Sequence, residues 1–282
     1  MNSLMLRYSK PTYFTAKMSV TANYNNKIMD DLWDEIAPGY YNYGRISPHV
    51  DVDTITDLKQ ANEDMMEYII SNQKIGPASN VLDLGCGKGM YTVGIAKRTG
   101  CRFVGTDINN TYIEGCKELA KTHGVEHQGE FLTASITDLP PTIKDREYTH
   151  VLALGSMLYA HNSLDKFLTH LVSCCNKDTK IFIWDFIRKV DWERCAEANR
   201  HLKMPHPLLT KEEVLAGLET VGLDLVEFQD TTEYIIPGYK VMTRICKRRD
   251  PDMEVLTYPL VGTAFMEGLL AYVYYSLKLS SK

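Results

Sequence analysis

Apolar and polar positions along this chain switch repeatedly between a helical and an extended period. Over residues 28–43, Met29, Leu32, Trp33 and Ile36 recur at helical spacing until Pro38 and Gly39 stop the pattern, and Tyr40, Tyr41 and Tyr43 crowd the turn that follows. Residues 58–72 repeat the helical pattern through Met65, Met66, Ile69 and Ile70, and Gly76-Pro77 breaks it. Short apolar runs then alternate with helical stretches. The spacing predicts strands at 81–84, 102–106, 131–132, 151–154, 181–184 and 223–228, with helices over 90–98, 111–123 and 164–175. Thr210 and Glu213 form a capping-box signature for one more helix. Ala271, Val273, Tyr275 and Leu277 alternate among further β-formers, which predicts a last strand. Strands alternating with helices imply an α/β fold, a mostly parallel sheet covered on both faces.

Two segments stand outside this alternation. Residues 1–27 are basic and acid-free, with Arg7, Lys10, Lys17 and Lys27, and read as a disordered or organelle-targeting tail. Residues 191–207 read as an inserted helical cap that ends at Pro205 and Pro207. The remainder, 28–282, is expected to be one domain, with 28–57 as an N-terminal lid.

Composition narrows the classes of function. With 31 Lys+Arg against 36 Asp+Glu, a net charge of −5 argues against a nucleic-acid partner. Seven cysteines show no metal-ligand or disulfide spacing, so no metal is expected and a reducing, cytoplasmic setting fits. The apolar stretch 255–279 is interrupted by Glu267 and Lys278, short of the ~20 residues an integral span requires. Lys240, Arg244, Lys247, Arg248 and Arg249 read as a solvated helix face, with peripheral contact to anionic lipid as the alternative.

The chemistry concentrates at one junction. The run Val81-Leu82-Asp83-Leu84-Gly85-Cys86-Gly87-Lys88-Gly89 ends a strand in three closely spaced glycines, where backbone can approach a ligand, and the next helix offers its N-terminal N–H groups. Asp107, at the tip of the second strand, sits where an acid can take both hydroxyls of a ribose. The Walker positions are unoccupied, which excludes a P-loop. A dinucleotide fingerprint wants a third glycine where this chain has Met90.

This run resembles motif I of the class I S-adenosylmethionine-dependent methyltransferases, and Val104-Gly105-Thr106-Asp107-Ile108 resembles the acidic loop after it. The resemblance spans about residues 58–228 and implies a Rossmann-like seven-stranded sheet. It also implies S-adenosylmethionine as cofactor, with S-adenosylhomocysteine as product and no metal. It would place Gly85, Cys86, Gly87 and Gly89 around the methionine part, Asp83 at the amino group, Asp107 on the ribose and Ile108 on the adenine. The adenine acid of the family falls in the stretch Thr133-Ala134-Ser135-Ile136, so Ser135 stands where an aspartate is common and Asp138 is the substitute from a shifted loop. The loop from Gly155 through Tyr159 to His161 resembles the one that faces the transferred methyl. Tyr40-Tyr41-Asn42-Tyr43-Gly44 loosely resembles the aromatic region of sterol, tocopherol and glycine/sarcosine-type methyltransferases, which implies a small-molecule acceptor such as an amine or a sterol/prenyl-type lipid.

Candidate catalytic residues follow from residue chemistry. An unperturbed imidazole titrates near neutrality, which makes His161 a candidate general base. Trp33, Tyr40, Tyr41, Tyr43 and Tyr159 are candidates for the acceptor side, with Tyr43 nearest the reaction and its ring suited to a cation. The alternatives are a nicotinamide-type oxidoreductase, which Met90 disfavours, and a non-catalytic subunit that binds a partner.

Overall fold

The computed structural model describes residues 27–191, 193–195, 207–249 and 257–280. The tail 1–26 and most of the 191–207 insertion, with His201 and His206, lie outside the described residues.

The lid opens with helix α1 (Lys27–Ile36), followed after a single 3-10 turn at Val52–Thr54 by α2 (Lys59–Gln73). Alternation then begins: β1 (Asn80–Leu84), α3 (Met90–Thr99), β2 (Arg102–Asp107), α4 (Asn110–His123), β3 (Gly129–Thr133), a short α5 (Pro141–Lys144) and β4 (His150–Leu154). A 3-10 segment at Met157–Ser163 leads into α6 (Leu164–Ser173) and β5 (Lys180–Arg188). The C-terminal part is α7 (Lys211–Thr220), β6 (Leu223–Asp230), α8 (Thr232–Arg249), α9 (Thr257–Met266) and β7 (Leu270–Leu279).

The seven strands form one sheet in the order β3-β2-β1-β4-β5-β7-β6. Strands β1 to β5 pair in parallel, whereas β7 runs antiparallel to both β5 and β6. The expected seven-stranded, mostly parallel architecture is the observed one. Strand order reverses between β1 and β4, and a crevice opens there at the carboxyl ends of the strands.

Side chains alternate through the sheet into two buried cores. On one face Val81, Phe103, Phe182, Trp184 and Tyr272 pack under α1–α4, α8 and α9. On the other, Leu82, Val104, Val151, Ile183 and Val273 pack under α5–α7. Thr210 caps α7 through the predicted box, its hydroxyl accepting from Glu213 N–H. The expected helix after residue 28 stops at Ile36, before Pro38 and Gly39, and the chain from Ala37 folds back over the sheet.

The lid is fastened to α2 and α8. The N–H of Arg45 donates to Ala61 O and the N–H of Ile46 to Tyr234 O. Gly44 adopts φ +66°, and a Cβ there would lie 2.2 Å from the Ala61 carbonyl carbon, so only glycine lets the two backbones meet. Arg244, one of the basic cluster on α8, donates to the carbonyls of Val52 and Ile55 and pairs with Asp53. Arg249 lies 3.6 Å from Glu35. These two residues of the cluster therefore hold the lid region. Among the described residues no helix is long and apolar enough to cross a membrane.

Candidate active site

The glycine loop is built by β1 running out of pairing partners while its backbone stays pinned to β2. The N–H groups of Gly85 and Cys86 both donate to Thr106 O at 2.8 Å. Gly85, Gly87 and Gly89 all adopt positive φ (80°, 55° and 78°), a conformation that costs a side-chain-bearing residue dearly. Crowding adds to the requirement: a Cβ at Gly85 would lie 2.5 Å from Ser156 Cβ, and one at Gly89 would lie 2.7 Å from Cys116 Sγ.

Two carboxylates flank the loop. Asp107 accepts from the N–H of Gly87 (3.0 Å) and the N–H of Asn109 (2.8 Å), so it fixes the loop while still lining the crevice. Burial raises its pKa, and these N–H groups oppose the rise. Asp83, inside β1, accepts from Thr92 Oγ1 at 2.5 Å through Oδ2, whereas its buried Oδ1 has no hydrogen-bond partner. Burial, opposed by the Thr92 bond and aided by the charge of Asp107, pushes its pKa up to about 6. An unsatisfied buried carboxylate oxygen is costly, and one facing a cavity is suited to a cationic ligand group.

The crevice is a cavity of about 380 Å³. Its first half is lined by Asp83, the loop Gly85–Gly89, Asp107, Ile108 and the segment Ser135–Thr137. Ile108 is 48% exposed, an apolar side chain at the rim with nothing covering it. Its second half lies at the ends of β4, β5 and β7, beneath the lid, and includes Gly155, Leu158, Tyr159, Phe186 and Tyr272. Trp33, Tyr40, Tyr41 and Tyr43 close it from the lid side.

All the expected cofactor residues, Asp83, Gly85, Cys86, Gly87, Gly89, Asp107, Ile108, Ser135, Ile136 and Gly155, line this one cavity. So do the five aromatic candidates Trp33, Tyr40, Tyr41, Tyr43 and Tyr159. His161 does not. It is buried at the end of the 3-10 segment, where its Nδ1 accepts the N–H of Leu209 at 3.1 Å, so its imidazole braces the segment leading into α7 instead of facing the cavity. Asp138 is exposed and is absent from the lining; the neighbouring Thr137 lines it instead, held by a 3.2 Å bond from its N–H to Ser135 Oγ.

Several site residues escaped the sequence reading. Met90, the residue that spoils a dinucleotide fingerprint, lies 3.3 Å from where a Cβ on lid residue Gly39 would sit. Lys88 pairs with Asp34 of α1 at 2.9 Å and lies 4.7 Å from the centre of the Tyr41 ring, joining the glycine loop to the lid. Behind the second half of the cavity, fully buried Asp185 accepts from the N–H of Phe186 (2.7 Å) and of Leu158 (3.1 Å). It thereby aligns two wall residues; burial pushes its pKa up to about 7, against the pull of those N–H groups. A lone acid inside the apolar run Ile-Phe-Ile-Trp-Asp-Phe-Ile was the available signal.

Comparison with known proteins agrees with this arrangement. Residues 81–178 match the model of a methyltransferase domain. The chain is 24% identical over 191 residues to the methyltransferase GfsG of Streptomyces halstedii, covering 66% of this chain and 68% of that protein. It is 22% identical over 178 residues to the sterol 24-C-methyltransferase erg6 of Schizosaccharomyces pombe, covering 60% of this chain and 46% of the relative. Among solved structures, geranyl diphosphate C-methyltransferase from Streptomyces coelicolor A3(2), in complex with Mg2+, geranyl diphosphate and S-adenosyl-L-homocysteine, superposes with a TM-score of 0.70 at 14% identity. That match covers 90% of this chain and 97% of the other. Among the described residues, no group of three His, Cys, Asp or Glu side chains is placed to hold a metal.

Proposed function

The chain carries a methyltransferase domain of the class I, S-adenosylmethionine-dependent fold, and on that premise we propose that it methylates a small molecule with an apolar body, an amine or a sterol/prenyl-type lipid. The observation that carries this reading is the single cavity joining the glycine loop, Asp83 and Asp107 at one end to an aromatic wall at the other.

The residues present fit the cofactor. Asp83 Oδ1, buried and unpartnered, would take its amino group. The side-chain-free backbone of Gly85, Gly87 and Gly89 would pass along its methionine part, and Asp107 would receive the ribose hydroxyls. Ile108, exposed at the rim, would cover the adenine beside Ser135, Ile136 and Thr137. When bound, S-adenosylmethionine supplies an activated methyl: an acceptor lone pair or π pair forms the new bond to carbon as the carbon–sulfur electrons stay on sulfur.

The protein's part is then orientation and exclusion of water. Tyr40 and Tyr43 are buried in the lid, and Tyr41 packs at a tilt between Trp33 and Tyr112 of α4 at centroid distances of 5.2 and 5.9 Å, at the lid side of the cavity. Leu158, Phe186 and Tyr272 form the opposite wall, where an acceptor would rest.

The test has two arms. Calorimetry with S-adenosylhomocysteine should detect binding that falls at least tenfold in Asp107→Ala, because two charge-assisted hydrogen bonds of about 1.5–3 kcal/mol each are removed. Product mass analysis across amines, phenols, sterols and prenyl quinols should find a 14-Da gain on at least one class. Unchanged affinity in the variant, or no binding by the native protein, would overturn the assignment.

A further inference from the structure

Tyr272 lies on β7 opposite Phe186 of β5, and its ring meets that of Phe186 edge-on at 4.6 Å. Its backbone is locked on both sides, the N–H donating to Thr232 Oγ1 and the carbonyl accepting from the N–H of Thr231. The side chain reaches the end of β4. A Cβ at Gly155 would lie 3.3 Å from Tyr272 Oη and 3.8 Å from Asn42 Nδ2, so the phenol and the lid carboxamide converge above this glycine. Asn42 can present only its nitrogen there, because its Oδ1 already accepts the N–H of Tyr43 at 2.8 Å. The Asn42 carboxamide nitrogen and the phenol oxygen thus face the same point above Gly155. Tyr272 lines the second half of the cavity, so its oxygen is within reach of a ligand there.

The rest of that half is chemically quiet. Its lining at the ends of β4, β5 and β7 contains no His, Asp, Glu, Lys or Cys among the described residues. Asp185 stands behind the wall with its oxygens on Leu158 and Phe186 N–H groups. Ser156 Oγ donates to Leu84 O. The Tyr272 phenol itself does not ionise in the neutral range, since burial and then the nearby Asp185 and Tyr43 raise its pKa well above the ordinary value. Among the described residues of this wall there is thus no histidine, carboxylate, lysine or thiol to withdraw a proton before methyl transfer.

We propose that Asn42 and Tyr272 form the acceptor-recognition pair, and that the acceptor is a neutral primary or secondary amine on an apolar body, whose N–H donates to the Tyr272 oxygen. This rests on the methyltransferase reading above and narrows it. An amine that enters as the neutral free base, its proton already lost to water, needs no further base to become a nucleophile, whereas a hydroxyl does, and an alkene needs one to discharge the cation left by attack. The nitrogen lone pair forms the new bond to the methyl carbon, the carbon–sulfur electrons stay on sulfur, and the ammonium product gives its remaining proton to water on release. The positive charge that develops on nitrogen faces the rings of Tyr43, Phe186 and Tyr272.

The experiment uses the full chain and matched acceptors of one carbon skeleton: a secondary amine, its tertiary amine, its alcohol and its alkene. The native protein should favour the secondary amine. Tyr272→Phe keeps the ring and removes the oxygen, and should lower kcat/KM for the secondary amine about tenfold, the size of one lost hydrogen bond. Its affinity for S-adenosylhomocysteine should stay within about twofold of native. Tertiary-amine turnover, which offers no N–H, should be insensitive to the substitution; a merely structural role would depress both alike. Asn42→Asp, which keeps the oxygen that caps Tyr43, should shift the same ratio in the same direction and carries the test if the Phe variant fails to fold. Preference for the alcohol or alkene, or full secondary-amine turnover by Tyr272→Phe, would overturn the proposal. S-adenosylhomocysteine binding without turnover of any amine would overturn it alone; absence of that binding would overturn the methyltransferase reading as well.

Discussion

Asp83 combines two properties that pull against each other with pH. Its pKa of about 6 means that the folded, ligand-free protein holds this proton more tightly than the unfolded chain does, so the group's contribution to stability is full below the unfolded pKa near 4 and is lost as pH rises through 6. A ligand amino group has the opposite preference, since it needs the carboxylate. Affinity for S-adenosylhomocysteine should thus be full above about pH 7 and fall roughly tenfold per unit below 6. Calorimetry at pH 5 and 7.5 checks this, with Asp83→Asn expected to flatten the dependence; equal affinities in the native protein would remove Asp83 from the amino-group role. At this scale the sequence was legible wherever chemistry and local structure coincide, as in Asp83, the three glycines and Asp107, all within two strand tips. Asp185 and Tyr272 were not legible because their significance comes from partners across the sheet: Leu158 lies 27 residues from Asp185 in the chain. His161 misled for the converse reason. Its side-chain chemistry suits a base, but the 3-10 turn that carries it faces the segment before α7.

The lid acts as an element because its aromatic rings are shared with α8 and α9. Tyr43 stacks on Tyr239 of α8 at 4.4 Å, contacts Trp33 at 5.4 Å and meets Phe186 edge-on at 6.4 Å. Tyr239 in turn packs on Phe265 of α9. Tyr43 is thus both a core ring and a wall of the cavity. Tyr43→Ala should cost about 3 kcal/mol, as large-to-small changes of buried rings do. For a chain of this size that is a fall in Tm of roughly 6–12 °C. Turnover per folded molecule should fall more than affinity for S-adenosylhomocysteine, because the ring borders the acceptor half. Thermal melts and initial rates on one preparation separate these effects; full turnover in a destabilised variant would leave the ring with packing alone. The aromatic lid was visible in the sequence, whereas of the helix that receives it only the basic C-terminal face was. Helix α8 contains Pro237-Gly238, a dipeptide that reads as a turn, yet buried Ile235, Tyr239, Met242 and Ile245 hold the helix through it. The sequence of α9 carries no charged residue, so no charged positions mark its helical period.

At the scale of the molecule, the sheet order places the acid-flanked glycine loop and the aromatic wall on opposite sides of the β1–β4 reversal, and the lid bridges them. Alternating periods were enough to predict seven strands with helices on both faces. They were silent on the order in which β7 inserts between β5 and β6, which depends on antiparallel pairing across 270–279. One consequence concerns global stability. A ligand that touches the tips of β1, β2 and β4 together with the lid is held only by the folded chain, so its binding adds RT ln(1 + [L]/Kd) to unfolding. S-adenosylhomocysteine at a hundredfold excess over its Kd should contribute about 2.7 kcal/mol, a rise in Tm of roughly 5–10 °C. The adenine and ribose alone do not account for such a rise, because Asp83 and the lid side of the cavity would stay unfilled. Adenosine at the same concentration should therefore raise Tm less. NAD should raise it little or not at all: Met90 stands where the dinucleotide fingerprint has glycine, and its side chain is packed toward Gly39 of the lid. Melts with the three ligands side by side decide the matter. A shift with NAD equal to that with S-adenosylhomocysteine would return the oxidoreductase alternative to contention and would show that the loop accepts a pyrophosphate after all.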